Sequence, residues 1–376
     1  MTTGEIGVAV EPEGRRYGMP WRGADAARAA EQAGMTAFCS GEFVDHEAYA
    51  TLTEMVLGTE RALVGPAIAY AFARTPYAHA AGIRSAWAHA AGRVFLGLGS
   101  GAYRINRDWF GVEADRPVAR MADLVGAIRA WLHAENGQPV TYDGEFYRVN
   151  ASVGAPVLGR IDAPILLAGF NRLMAATAAR VADGVVGHGL FTRTWWDDVV
   201  RPAMARGAAD AARDTPALEH GWVITAIDDD DPGRAVTDAR RMIAFYLTVK
   251  TYDPYVAHHG WTRQVEAIRE AFARRDSDAM AAAVTDDMVE QIAICGTTSD
   301  GRAALARRGD SLPRDVAYLA PPSYLVSGRR GRRYALASLG LLDGATSPPE
   351  PSPLEPSPLE SSAVASSAVA SSAAQR

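Results

Sequence analysis

Short apolar runs alternate with helical patterns along most of this chain, and no other feature limits its fold so tightly. The runs recur at 6–10, 36–40, 62–67, 94–98, 164–168, 184–186, 221–226 and 291–295. Helical patterns lie at 21–33, 48–59, 76–91, 117–133, 171–182, 194–212, 231–250 and 298–308. The runs are apolar throughout rather than every second residue, as parallel strands covered on both faces must be. Gly34 stands where the first helix should stop. Pro76 and Pro117 stand where a helix's first turn tolerates proline. Eight strand–helix pairs of this kind predict an α/β chain, a (β/α)8 TIM barrel with insertions rather than an open sheet.

Two stretches interrupt the alternation. The segment 139–149 alternates around Asp143-Gly144 and predicts a hairpin. Residues 251–290 form an extra region with helical pieces, long enough to fold over the barrel mouth. Beyond 345 the composition changes. PSPLE occurs twice and then SSAVA twice, with no aromatic residue, so 346–376 reads as a disordered Pro/Ser/Ala-rich tail and 1–345 as the barrel.

A net charge of −6 is too mild to imply a nucleic acid or an anionic membrane as partner. The N-terminus lacks the pattern of a signal peptide, and no apolar run is long enough to span a bilayer, so a cytoplasmic protein is expected. Cys39 and Cys295 sit singly in apolar runs and read as small buried hydrophobes. No Cys/His spacing suggests a metal site.

The stretch "VFLGLGSGAYRI" carries Gly97, Gly99 and Gly101. A Rossmann fingerprint needs GxGxxG opening a helix in the first strand–helix unit. Here the spacing is GxGxG, the unit is the fourth, and a polar loop follows. In a barrel this loop belongs to the active-site face. Its glycines either offer backbone N–H groups to a phosphate or flat ring, or serve a tight turn. In "PILLAGFNRL" a strand ends at Ala168-Gly169-Phe170-Asn171 and a helix begins at once, giving an anion-binding helix start that Asn171 also caps. His188 follows the sixth strand as a pocket-lining side chain or a solvated one. Glu42, Asp45 and His46 follow the second strand, where a carboxylate and an imidazole can manage protons. After the third strand, Ala67, Ala69, Ala71 and Ala73 alternate with larger residues and leave room for something flat. Arg74 there reaches a phosphate or pairs locally. Lys250, the single lysine, either meets an anionic substrate or ends a helix favourably.

Together these stretches resemble the bacterial luciferase-like flavin/deazaflavin oxidoreductases, and more narrowly their actinobacterial coenzyme F420-dependent branch. The carriers are AYAFARTP, GRVFLGLGSG with WFGVEADRPVARMADLV, ILLAGFNRLMAATAARVADGVV, IAFYLTVKTYDPYVAHHGW and DDMVEQIAICGT, in that order. The resemblance implies a (β/α)8 barrel, usually a homodimer, acting on a small-molecule or natural-product substrate. It implies coenzyme F420 as cofactor, with FMN as the alternative in a monooxygenase and a non-catalytic flavin-binding barrel as a second alternative. The ring would pack on a bulge at Ala67, Ile68 and Ala69, often a non-prolyl cis peptide. The tail would be held near Gly99, Ser100 and Gly101 and near Ala168, Gly169, Phe170 and Asn171, with His188 beside it. His46 and Glu42 would be the catalytic pair. Tyr252, His259 and Trp261 would line the substrate pocket. Where the branch commonly shows His-Asp-Pro-Phe, this chain has His46-Glu47-Ala48-Tyr49.

Overall fold

The computed structural model describes residues 14–154 and 159–342. In chain order the barrel elements are β1 (Arg16–Pro20), α1 (Ala24–Gln32), β2 (Ala37–Ser40), α2 (Ala48–Gly58), β3 (Leu63–Pro66), α3 (Pro76–Trp87), β4 (Leu96–Gly99) and α4 (Pro117–Leu132). They continue as β5 (Ile165–Ala168), α5 (Arg172–Val181), β6 (Gly184–Gly187), α6 (Arg201–Asp210), β7 (Leu218–Ile227), α7 (Pro232–Leu247), α8 (Thr298–Arg308) and β8 (Val316–Ala320). The sequence signals act as expected at several ends. Gly34 takes φ +97° and its N–H bonds Glu31 O, closing α1 as only a left-handed residue can. Thr75 caps α3 by accepting from Ala78 N–H, with Pro76 at the first helical position.

Every ladder among these strands is parallel. β1 pairs β2 on one side and β8 on the other, and β7 carries the sheet on from β8 to β6. The ring closes between β3 and β4, where Val64 N–H bonds Arg93 O at 2.8 Å and Phe95 N–H bonds Val64 O at 3.1 Å. A two-residue strand, Ala69–Tyr70, lies beside Leu98 and Gly99 and seals the upper seam. Two apolar layers result. Cys39, Ala67, Phe95, Leu166, Val186, Val316 and Tyr318 fill the barrel interior. The larger layer lies between sheet and helices.

The run 6–10 lies outside the described residues, among which the first barrel strand is Arg16–Pro20. Two expectations change. The run 291–295 is not the eighth barrel strand. Its counterpart Ala293–Gly296 pairs only with β7, while Val316–Ala320 closes the ring onto β1. Ala69 and Ala71 do not present a flat face, because both are wholly buried under the surrounding helices. The hairpin forms as read, with Pro139–Asp143 antiparallel to Arg148–Ser152. The extra region forms four helices, Asp253–His259, Thr262–Ala273, Ser277–Ala282 and Asp286–Ile292. The tail 346–376 lies outside the described residues. Among the described residues no helix is long and apolar enough to cross a membrane.

Candidate active site

The loops after the strands' C-terminal ends meet over the barrel interior, and the most tightly fixed of them follows β3. The Ala67–Ile68 peptide bond is cis, at the place the sequence resemblance marks. Three contacts fasten this bulge. Trp222 on β7 donates its indole N–H to Ala67 O at 2.9 Å. Glu42 N–H donates to Ile68 O at 2.9 Å. The Glu42 carboxylate accepts from Tyr70 N–H at 2.7 Å. Arg74 then clamps both carboxylate oxygens of Glu42 and reaches Glu47 as well. Burial pushes the Glu42 pKa up, but the Arg74 guanidinium and the Tyr70 N–H outweigh it and hold the carboxyl below its usual range. Of the two readings of Arg74, the local pair is the one the structure contains.

Behind this clamp sits a polar contact that sequence reasoning did not reach. His79 is fully buried on α3. Its Nε2 lies 2.9 Å from Ala71 O and its Nδ1 lies 2.6 Å from the Tyr49 hydroxyl. With Nε2–H donating to the carbonyl, Nδ1 accepts from Tyr49. Burial lowers the imidazole to about 4, so it stays neutral. His46 is half-buried at the end of a tight turn in which Phe43 and His46 exchange backbone hydrogen bonds. Burial lowers its basicity, and the neighbouring Asp45 charge opposes that shift.

The glycines after β4 divide by role. Gly97 and Gly99 are buried, and an added Cβ at Gly99 would lie 2.7 Å from the Ile68 side chain. They let the β3 bulge lie directly on β4, which is packing, not N–H display. Gly101 takes φ +66° and turns the chain into the loop. Ser100 gives its carbonyl to the buried Asn106 amide at 2.8 Å, and Asn106 also bonds Ala102 O. That buried amide folds 100–106 into a compact turn, continued by a π-helical turn at Ile105–Trp109. Asn106 Oδ1 has no protein partner among the described residues.

Across the mouth, Ala168 ends β5 and Asn171 caps α5 by accepting from Met174 N–H. Gly169 is not a free anion donor, since its N–H is engaged by Val186 O at 3.3 Å. Phe170 is the centre of an aromatic cluster. Tyr252 stacks on it at 4.2 Å, and His188 meets it edge-on at 5.4 Å. Leu190 N–H donates to His188 Nδ1, which leaves the proton on Nε2, facing the Tyr252 hydroxyl at 3.4 Å. Burial lowers His188 to about 4. Thus Phe170, His188 and Tyr252 do come together.

His259 and Trp261 do not join them as pocket walls. Trp261 is 5% exposed and stacks on His259 at 4.3 Å. His259 bridges Thr192 Oγ1 at 2.7 Å and Tyr255 O at 2.8 Å. Both residues lock the extra helices onto the barrel wall. Lys250 starts a short turn after α7 has ended at Leu247, so it does not close that helix.

The family model for luciferase-like monooxygenases matches residues 6–314. The chain belongs to this family. An uncharacterised protein of Mycobacterium tuberculosis is 30% identical over 294 residues, which cover 76% of this chain and 86% of that one. An F420-dependent glucose-6-phosphate dehydrogenase of Nocardia farcinica is 32% identical over 169 residues, 42% of this chain and 47% of that one. The solved structure of the coenzyme F420-dependent tetrahydromethanopterin reductase of Methanopyrus kandleri superposes with a TM-score of 0.70 at 19% identity, over 87% of this chain and 98% of that one. This luciferase-like barrel therefore carries the family's fold. The residues missed in the sequence are Trp222, Tyr70, His79 and Asn106. Each acts through a hydrogen bond that involves a backbone carbonyl or N–H, and no spacing along the chain signals that.

Proposed function

We propose that this luciferase-like protein is a coenzyme F420-dependent oxidoreductase that moves a hydride between deazaflavin C5 and a carbon of an organic substrate. The observation that carries the reading is the bulge at Ala67–Ile68, fastened at the barrel mouth by the Trp222 indole and the Glu42 N–H. A Cβ built on Gly41 would make only ordinary contacts, at 3.9 Å, with Ala67 O and the Trp222 indole. A flat ring system fits such a cradle, with the bulge against one of its faces. When bound, the deazaflavin supplies a two-electron carrier whose carbon at position 5 reacts poorly with oxygen.

The chain's own groups then hold the ring, exclude water and manage one proton per hydride. His46 is the proton acceptor or donor of this proposal. Its lowered basicity keeps it neutral near pH 7, ready to accept a proton from an alcohol. Glu42, saturated by Arg74 and Tyr70 N–H, holds the bulge and transfers no proton. Ala168, Phe170 and Asn171 border the tail of the cofactor. Tyr252 and His188 close that side. A homodimer is part of the proposal, and Leu57 and Tyr77, exposed at 74% and 59% on α2 and α3, are apolar residues a second copy would cover.

Equilibrium binding of reduced F420 against reduced FMN tests this directly. F420 is expected to bind more tightly. His46→Ala is expected to lower turnover by about 100-fold or more while leaving the F420 dissociation constant within about twofold. Preference for FMN with oxygen consumption would favour a monooxygenase instead. Tight cofactor binding without turnover of any substrate would favour a barrel that has lost catalysis.

A further inference from the structure

One wall of the mouth is apolar, aromatic and exposed, and the proposed function does not use it. The turn after β2 carries Phe43 and leaves Val44 66% exposed. The π-helical turn after β4 carries Trp109, 42% exposed, and is flanked by Tyr103, 59% exposed. The two loops touch through these side chains, with Phe43 and Trp109 edge-to-face at 5.8 Å. His46 lies near Phe43, its ring 6.3 Å away and tilted. The wall is held from behind. Phe110 packs on Tyr70 at 5.2 Å, Asn106 closes the turn, and Val112 N–H bonds Asn106 O at 2.9 Å.

The ionic groups of these loops are mostly answered within the protein. Glu42 and Glu47 close on Arg74, and Arg107 closes on Asp108 while lying over the Tyr103 ring. Asp45, at the tip of the β2 turn, is exposed and acidic. An anionic substrate laid here would find the nearby Arg74 guanidinium already taken and an acid at the rim. A neutral ring would bury the faces of Phe43 and Trp109 and lose no hydrogen bond. The tail side of the mouth is of another kind, with the α5 N-terminus and the exposed Arg172.

We infer that the substrate is a neutral, ring-bearing apolar molecule, seated against Phe43 and Trp109 with its reacting carbon toward the bulge and His46. The inference rests on the deazaflavin reading for the reaction, but the wall can be tested without the cofactor. Titration of the protein with prodan, a neutral naphthalene fluorophore, is expected to show one saturable site. Trp109→Ala and Phe43→Ala are each expected to weaken it about three- to tenfold, and Trp109→Phe to restore most of it. 2-Naphthol should displace the probe, and millimolar glucose 6-phosphate should not. With reduced F420 supplied, neutral cyclic enones should be reduced, and with oxidised F420 supplied, glucose 6-phosphate should not be oxidised. Trp109→Ala should raise the enone KM by a similar factor and leave the F420 dissociation constant within about twofold.

Displacement or turnover by the hexose phosphate would overturn the inference. So would probe binding indifferent to both alanine variants. A change of oligomeric state in Trp109→Ala, seen by light scattering, would also overturn it, by making the wall a subunit contact. Wild-type protein that binds prodan as described but fails to bind F420 would refute the cofactor reading and leave the apolar wall supported.

Discussion

The Glu42 carboxylate takes two hydrogen bonds from Arg74 and one from the Tyr70 backbone, with its side chain 9% exposed. A carboxylate so held is a brace. Glu42→Gln keeps an acceptor for Tyr70 but strands Arg74 with half its partners. The expected cost is about 1–3 kcal/mol, between the values for exposed and buried pairs, read from the midpoint of urea unfolding. A variant with unchanged midpoint and abolished turnover would make Glu42 the proton carrier after all. Histidines give a second residue-scale expectation. His79 and His220 are 0% and 3% exposed, and burial lowers them to about 4 and about 3. The folded chain therefore binds fewer protons than the unfolded one below the free imidazole range, near 6.5. Stability is full above that pH and falls as pH drops toward 4, by up to about 2 kcal/mol per histidine at pH 5. Urea midpoints compared at pH 7.5 and 5.0 measure it. In His79→Phe the slope should shrink, because one of the lowered titrations, which also include that of His188, is gone.

Elements were more legible in the sequence than contacts between them. Fully apolar runs ended by Gly, Pro and Asn located the strands and helices from β2 to α7 to within a few residues. The final strand escaped because Val316–Ala320, "VAYLA", has no helix signal directly after it and is followed at once by Pro321-Pro322. Ala293–Gly296 looked better because a capped helix, α8, follows it at once. The two are told apart only by pairing, which composition does not encode. The candidate site shows the same limit. Positions on the mouth loops were readable from chain order. Whether a mouth residue faces the hollow or packs behind it was not, as Gly99, Gly169, His259 and Trp261 show. His259 makes the point measurable at this scale. It ties Asp253–His259 to Thr192 by one strong contact and to Trp261 by stacking. His259→Ala is expected to speed hydrogen exchange across Asp253–His259 and Thr262–Ala273 while leaving F420 affinity within about twofold. A raised substrate KM in His259→Ala without any loss of protection would return His259 to the substrate pocket.

A closed barrel is as strong as its weakest seam, and the described ladders place that seam between β3 and β4. Most neighbouring strands share three to five register pairs, whereas here Val64 and Val94 form an isolated bridge. One side chain compensates. The Arg93 guanidinium donates to Val56 O at 3.0 Å, Thr59 O at 2.8 Å, Thr59 Oγ1 at 2.8 Å and Ala62 O at 3.2 Å. Those carbonyls lie at the C-terminal end of α2 and in the turn after it, where a helix's unpaired acceptors and its negative dipole end favour a cation. The arginine just before β4 thus ties that strand to the helix before β3. Arg93→Met keeps much of the aliphatic stem and removes all four donors. Charged hydrogen bonds of this kind contribute about 1.5–3 kcal/mol singly and add incompletely, so a loss of about 2–4 kcal/mol is expected. The loss should be local at first. Exchange protection should fall at Val64 and Phe95, the two amides of the seam, before it falls in the ladders around β1. Because the bulge at Ala67–Tyr70 is the upward continuation of β3, cofactor affinity should fall with it. Arg93→Lys supplies a charge without the planar fork and should recover only part of either quantity. If Arg93→Met left the exchange of Val64 and Phe95 unchanged, the ring would be closed by its backbone alone and the clamp would be incidental.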